Sequence, residues 1–142
     1  MMTETNNSFK HHRAMVIDDS RIDRFVADRI IKRSFFAEEV LLMESAISAL
    51  EYLQSIENGE ELPEVIFLDI RMPVMDGFGF LESYNSLPER VKRNCIIAMI
   101  SSSADVNDHL RARSSQYVSC FMEKPLDKEK LDQYFVETAA NS

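Results

Sequence analysis

The chain has 142 residues, a length that fits one domain with a single sizeable core. Its apolar content of 45% and charged content of 28% are those of a soluble globular protein; no run approaches the ~18 consecutive apolar residues of a membrane span, and residues 1–12 lack the apolar segment of a signal peptide. A net charge of −8 and a pI near 4.9 argue against the basic patch of a nucleic-acid binder. Residues 1–12 are polar and without periodicity, and are expected to form a disordered tail in which His11 and His12 are solvated. Residues 13–18 read as a buried strand. Ser20-Arg21-Ile22-Asp23 fits a capping box, and the helix it opens carries Ile22, Phe25, Val26 and Ile30 on one predicted apolar face. Residues 39–43 read as a second strand. Ala46, Ala49, Leu50 and Leu53 mark a second helix stopped near Asn58-Gly59.

Residues 60–63 read as a polar loop and residues 65–69 as a third strand. A short helix follows Asp76-Gly77, with Phe80, Leu81 and Tyr84 on its apolar side, and Pro88 marks the next loop. Residues 95–100 form a fourth predicted strand, ending in Ser101-Ser102-Ser103. Val106 and Leu110 give a weaker fourth helix, and residues 118–122 a fifth strand. Asp127 can cap a last helix with Leu131, Tyr134, Phe135 and Thr138 on one side.

Five strands alternating with five helices predict an α/β fold. The strands are continuous apolar runs, which suits a parallel sheet covered on both faces. There is no internal repeat and no interdomain linker, so residues 13–139 are expected to be one domain without an output domain. Cys95 and Cys120 lie in apolar runs and read as structural thiols in a reducing compartment.

The chemistry gathers at strand ends. Asp69 closes the run Val65-Ile66-Phe67-Leu68 and precedes the turn formers Pro73 and Gly77. Asp18 and Asp19 end the first strand, and Lys124 follows the last. Three acids and a lysine at the C-terminal ends of strands describe a metal-assisted phosphoryl site. Singly, each residue has a plainer explanation: a helix cap for Asp18-Asp19-Ser20, an Asx turn for Asp69, a solvated lysine for Lys124, a polar loop for Ser101 and a core aromatic for Phe121. Their joint order outweighs these.

In that order the residues resemble a response-regulator receiver domain: Asp18-Asp19, Asp69 followed by Met72-Pro73 and Gly77, Ser101, and Lys124-Pro125, over about residues 13–139. The resemblance implies a flavodoxin-like doubly wound sheet in the order 2-1-3-4-5. It implies that Asp69 accepts a phosphoryl group from a histidine kinase or a histidine phosphotransfer protein. Mg²⁺ would be held directly by Asp19 and Asp69, through water by Asp18, and by the backbone carbonyl of Arg71. Lys124 would pair with the phosphoryl group, while Ser101 and Phe121 would be the switch hydroxyl and switch aromatic. Pro125 would follow a cis bond, although a simple helix-start proline fits the sequence equally. Ser101 replaces the more frequent threonine and Phe121 the frequent tyrosine. The usual glycine before the fifth strand is absent, with Gln116, Tyr117 and Val118 there instead. These departures leave the chemistry intact and bear on how the switch couples to phosphorylation.

The resemblance further implies a cytoplasmic, monomeric or weakly dimeric signalling switch of a two-component system rather than an enzyme. A downstream protein would bind between Ala104 and Ala139, with neither nucleic acid nor membrane as partner. Target binding and phosphorelay both remain open as outputs. The rival from another class is a haloacid-dehalogenase-type, Mg²⁺-dependent phosphatase. Against it, the acid pair comes first and adjacent, the nucleophile mid-chain, and no cap insertion is present.

Overall fold

The computed structural model describes residues 8–102 and 105–140. Five parallel strands, β1 (His11–Ile17), β2 (Ala37–Met43), β3 (Val65–Asp69), β4 (Ile96–Ser101) and β5 (Val118–Glu123), form one sheet in the order β2-β1-β3-β4-β5. Among the described residues the helices are α1 (Arg21–Arg33), α2 (Ala46–Ser55), α3 (Gly77–Tyr84), α4 (Glu89–Asn94), α5 (Val106–Arg113) and α6 (Lys128–Ala140). Residues 1–7 of the expected tail, together with Ser103, Ala104 and the side chains of Thr138 and Ala139, lie outside what is described.

Side chains alternate between the two faces of a strand, and the central strands are apolar on both. Met15, Ile17, Ile66, Leu68, Ile97 and Met99 face α2 and α3, where Leu53, Phe80 and Tyr84 meet them. Val16, Val65, Phe67, Ala98 and Ile100 face α1 and α6, packing on Ile31, Leu131 and Phe135. Burying each Leu or Ile in such a layer contributes about 1.5–3 kcal/mol. The two apolar layers clamp the sheet and fix the strand ends relative to one another.

Several sequence expectations need correction. β1 starts at His11, two residues early: His11 packs on the Phe36 ring at 4.7 Å and its Nδ1 lies 2.8 Å from Glu64, so it belongs to the strand and not to a solvated tail. Among the described residues there are six helices rather than five. α4 follows Pro88 as its N-cap and buries only Val91, so its six residues carry no apolar period. Gly59–Glu61 form a turn of 3₁₀-helix within the expected loop. In α1 the buried residues are Ala27 and Ile31, with Ile30 packed against them, whereas Ile22, Phe25 and Val26 are 73%, 57% and 39% exposed. The helix carries two overlapping apolar stripes, and the sheet takes the one with the small Ala27, which lets the helix approach closely. In α5 the buried residues are Asp108 and Ala112, and Val106 and Leu110 are exposed.

The capping box at α1 is half formed. Ser20 Oγ accepts from the Asp23 N–H at 3.2 Å, but the Ser20 N–H donates to Asp18 Oδ1 at 2.9 Å and the Asp23 carboxylate points elsewhere. Asp127 caps α6 as expected, accepting from the Lys130 N–H at 2.8 Å.

Candidate functional site

The chain leaves β1, builds β2 at the edge, and returns across β1 to build β3. Successive connections therefore diverge at the C-terminal ends of β1 and β3, opening a crevice there. Asp18 directly follows β1, Asp69 is the last residue of β3, Ser101 the last of β4, and Lys124 directly follows β5. Because all strands are parallel, these four meet at one edge of the sheet.

Local structure holds them in place. Asp18 is fixed at both ends: Oδ1 accepts from Ser20 N–H, and its carbonyl accepts from Arg24 Nη1 at 2.8 Å. After β3 the chain folds back so that the Gly77 N–H donates to the Ile70 carbonyl at 2.8 Å. A Cβ at position 77 would stand 2.7 Å from the Asp69 carbonyl oxygen and 3.0 Å from Ile70 Cα. Only glycine permits that approach, which seats α3 against the end of β3. Within the same loop Val74 sits in the left-handed region, φ 71°, and is almost wholly exposed. A β-branched residue there is strained.

Lys124 Nζ lies 2.7 Å from Asp18 Oδ2, 2.8 Å from Asp23 Oδ2 and 3.3 Å from Asp69 Oδ1. Asp18 and Asp69 are buried. Burial pushes the Asp69 carboxyl up to about 6, the neighbouring Asp18 adds to this, Lys124 opposes it by charge and hydrogen bond, and Asp19 adds a smaller push. At neutral pH the carboxyl is therefore mainly ionised and able to act as a nucleophile. Burial alone would lower the Lys124 ammonium, but hydrogen bonds to Asp18 and Asp23 and the charges of Asp69 and Asp18 hold it above its ordinary range. One oxygen from each of Asp18, Asp19 and Asp69 falls within 4.8 Å of the others. This all-carboxylate donor set suits a hard divalent cation that keeps several waters, and Asp19 is exposed, leaving a wet side for them.

The remaining expected residues are placed as follows. Ser101 is buried, and its carbonyl accepts from the Lys124 N–H at 2.8 Å, tying the end of β4 to the lysine. Phe121 is half-buried on β5 and stacks face to face with His109 of α5, centroids 4.7 Å apart and planes 9° from parallel. The Lys124–Pro125 bond is cis. Arg71, two residues past Asp69, sends its guanidinium to Asp108 of α5 in an ion pair. Cys95 and Cys120 are free, and burial pushes their thiols up to about 12 and about 11, so they are poor nucleophiles.

Two residues of this neighbourhood were not legible. Asp23 reads from the sequence as part of a cap and instead contacts a lysine 101 positions away. Asp108 sits on the face of α5 opposite Val106 and Leu110, the pair that reads from the sequence as its apolar side, and its burial is explained by Arg71. No local signal announces either pairing.

The profile of the family described as "Response regulator receiver domain" matches residues 14–135. Among characterised relatives, the sensor histidine kinase CheAY of Helicobacter pylori is 30% identical over 132 residues, which are 91% of this chain and 15% of that protein. This chain thus spans a small fraction of that relative's length. Among solved structures, a response regulator receiver protein from Dyadobacter fermentans is 31% identical with a TM-score of 0.76, covering 87% of this chain and 98% of that one. A two component response regulator from Cytophaga hutchinsonii is 25% identical with a TM-score of 0.83, covering 93% and 98%.

Proposed function

This chain belongs to the response regulator receiver family, and on that premise we propose that Asp69 is the residue that accepts a phosphoryl group, from a histidine kinase or a histidine phosphotransfer protein. The observation that carries the reading is the grouping of Asp69, Asp18, Asp19 and Lys124 at one sheet edge, with the lysine in bonding reach of Asp18 and Asp69.

The ionised Asp69 carboxylate attacks phosphorus in line. A new O–P bond forms as the P–N bond to the donor histidine breaks, and the imidazole leaves with that electron pair. Mg²⁺, held by Asp18, Asp19, Asp69 and the Arg71 carbonyl, would offset the negative charge on the phosphoryl oxygens. Lys124 donates to one of those oxygens, and the Ser101 hydroxyl to another. The new dianion biases a two-state equilibrium whose readout is the surface formed by α5, β5 and α6, between Ala104 and Ala139. Phe121, without a hydroxyl, changes place by packing alone. The exposed Ile22, Phe25 and Val26 of α1 form an apolar face beside the site, and they suit docking of the phosphodonor.

The domain is a switch, not an enzyme with a substrate of its own, and acts in the cytoplasm as a monomer or weak dimer. Among the described residues no helix is long and apolar enough to cross a membrane. The test is labelling with phosphoramidate and Mg²⁺. One hydroxylamine-labile phosphate should be added, as expected of an acyl phosphate and not of a serine ester, and Asp69→Asn should abolish it. Labelling that persists in that variant, mapped to Ser101, would overturn the assignment, and sustained turnover of small phosphate esters would favour a phosphatase.

A further inference from the structure

An ammonium has three N–H donors, and Lys124 faces three carboxylates. Two of them, Asp18 and Asp69, belong to the acidic trio at the strand ends. The third, Asp23, comes from the first turn of α1 and stands outside that trio. It nevertheless holds the lysine at 2.8 Å, closer than the 3.3 Å to Asp69. The helix does not need this carboxylate: the cap bond at Ser20 uses the backbone N–H of Asp23, and the Ser20 N–H is already taken by Asp18.

A phosphoryl group on Asp69 replaces a monoanion by a dianion with further acceptor oxygens. It competes for the same three donors. Asp18 is buried and fixed at both ends, so it cannot withdraw. Asp23 is 41% exposed at its side chain and can turn to water at little cost. Beside Lys124, on the side of Asp18 and Asp23, lies a cavity of about 120 Å³ walled by Val26, Ala27, Ile100 and Leu126, so the lysine stem is not tightly packed there.

We propose that Asp23 is a positioning residue that draws Lys124 away from Asp69 in the unmodified protein and must release it when the phosphoryl group arrives. Asp23 thereby sets how readily Asp69 is phosphorylated. This rests on Asp69 being the acceptor. A residue that merely anchored the lysine would have the opposite effect, because its loss would loosen Lys124 and weaken phosphoryl binding.

The experiment uses the full chain as wild type, Asp23→Asn, Asp23→Glu and Asp69→Asn. Beryllofluoride with Mg²⁺ is titrated as phosphoryl mimic, and labelling rates are measured over a range of phosphoramidate concentrations. Asp23→Asn keeps the backbone cap but removes the charge. It should bind the mimic about five-fold more tightly, the size expected from one partly exposed ion pair. It should also label faster at saturating donor. Asp23→Glu should return to wild-type behaviour, since it restores the competing charge. Asp69-dependent labelling with unchanged or weaker mimic binding in Asp23→Asn would overturn this inference alone. Labelling that survives in Asp69→Asn would overturn the acceptor assignment and this inference with it.

Discussion

Replacing Asp69 by Asn should make the metal-free protein more stable at neutral pH, although it removes the residue at the centre of the site. The Asp69 carboxyl binds its proton near 3.8 in an ordinary setting and near 6 in the folded chain. The folded state therefore prefers the neutral form. The stability associated with that form is complete below about pH 4 and is lost as pH rises through about 6. A separation of about two pH units corresponds to about 3 kcal/mol by pH 7. Asn has the shape of the neutral acid without the charge, and Lys124 keeps Asp18 and Asp23 as partners, so no buried cation is stranded. Urea unfolding with a chelator present should show Asp69→Asn more stable by about 2–3 kcal/mol at pH 7, by about half that at pH 5, and equal to wild type near pH 4. A variant less stable than wild type at pH 7, or a gain that does not shrink between pH 7 and pH 5, would refute the argument that burial and carboxylate crowding strain this site.

Three further outcomes follow from the same geometry. Gly77→Ala places a methyl against the Asp69 carbonyl and Ile70 backbone, neither of which can yield freely; it should lower the urea midpoint by the equivalent of about 2 kcal/mol and slow phosphoramidate labelling. Mg²⁺ should raise the melting temperature of the wild type by mass action, and most of that rise should vanish in Asp19→Asn; equal rises would count against the carboxylate trio as a metal site. Ser101→Ala should still be labelled yet show smaller beryllofluoride-induced NMR shifts along α5 and β5, whereas Phe121→Tyr should keep them; full-sized shifts in Ser101→Ala would mean that coupling runs through other residues.

What the sequence made legible was the sheet and the residues at its ends. The strand at residues 65–69 is legible to the residue because a strand buried on both faces is a continuous apolar run, and a charged residue can stop it only where the strand ends. The same logic placed Asp18, Ser101 and Lys124 at one edge, since parallel strands put their C-terminal ends together. The helices were less legible. α1 offers Ile22, Phe25 and Val26 against Ala27 and Ile31, and periodicity cannot say which stripe meets the sheet, because close approach rewards a small residue that hydrophobicity scales undervalue. α4 is too short for a period. The pairings of Asp23 with Lys124 and of Arg71 with Asp108 join residues 101 and 37 positions apart, and such contacts exist only once the strand order has been set.

The parallel stack of His109 on Phe121 also gives the protein a magnetic label of its own. The circulating electrons of an aromatic ring shield protons that lie over its face. The carbon-bound imidazole protons of His109 should therefore resonate upfield of those of His12, which is exposed. The chain has three histidines and no tryptophan, so the histidine region of a proton spectrum is sparse, while intrinsic fluorescence reports little beyond tyrosine. Any excursion of the Phe121 ring away from α5 would abolish the shielding, and the position of one imidazole line in an unlabelled sample would then track the fraction of molecules in which that ring has moved.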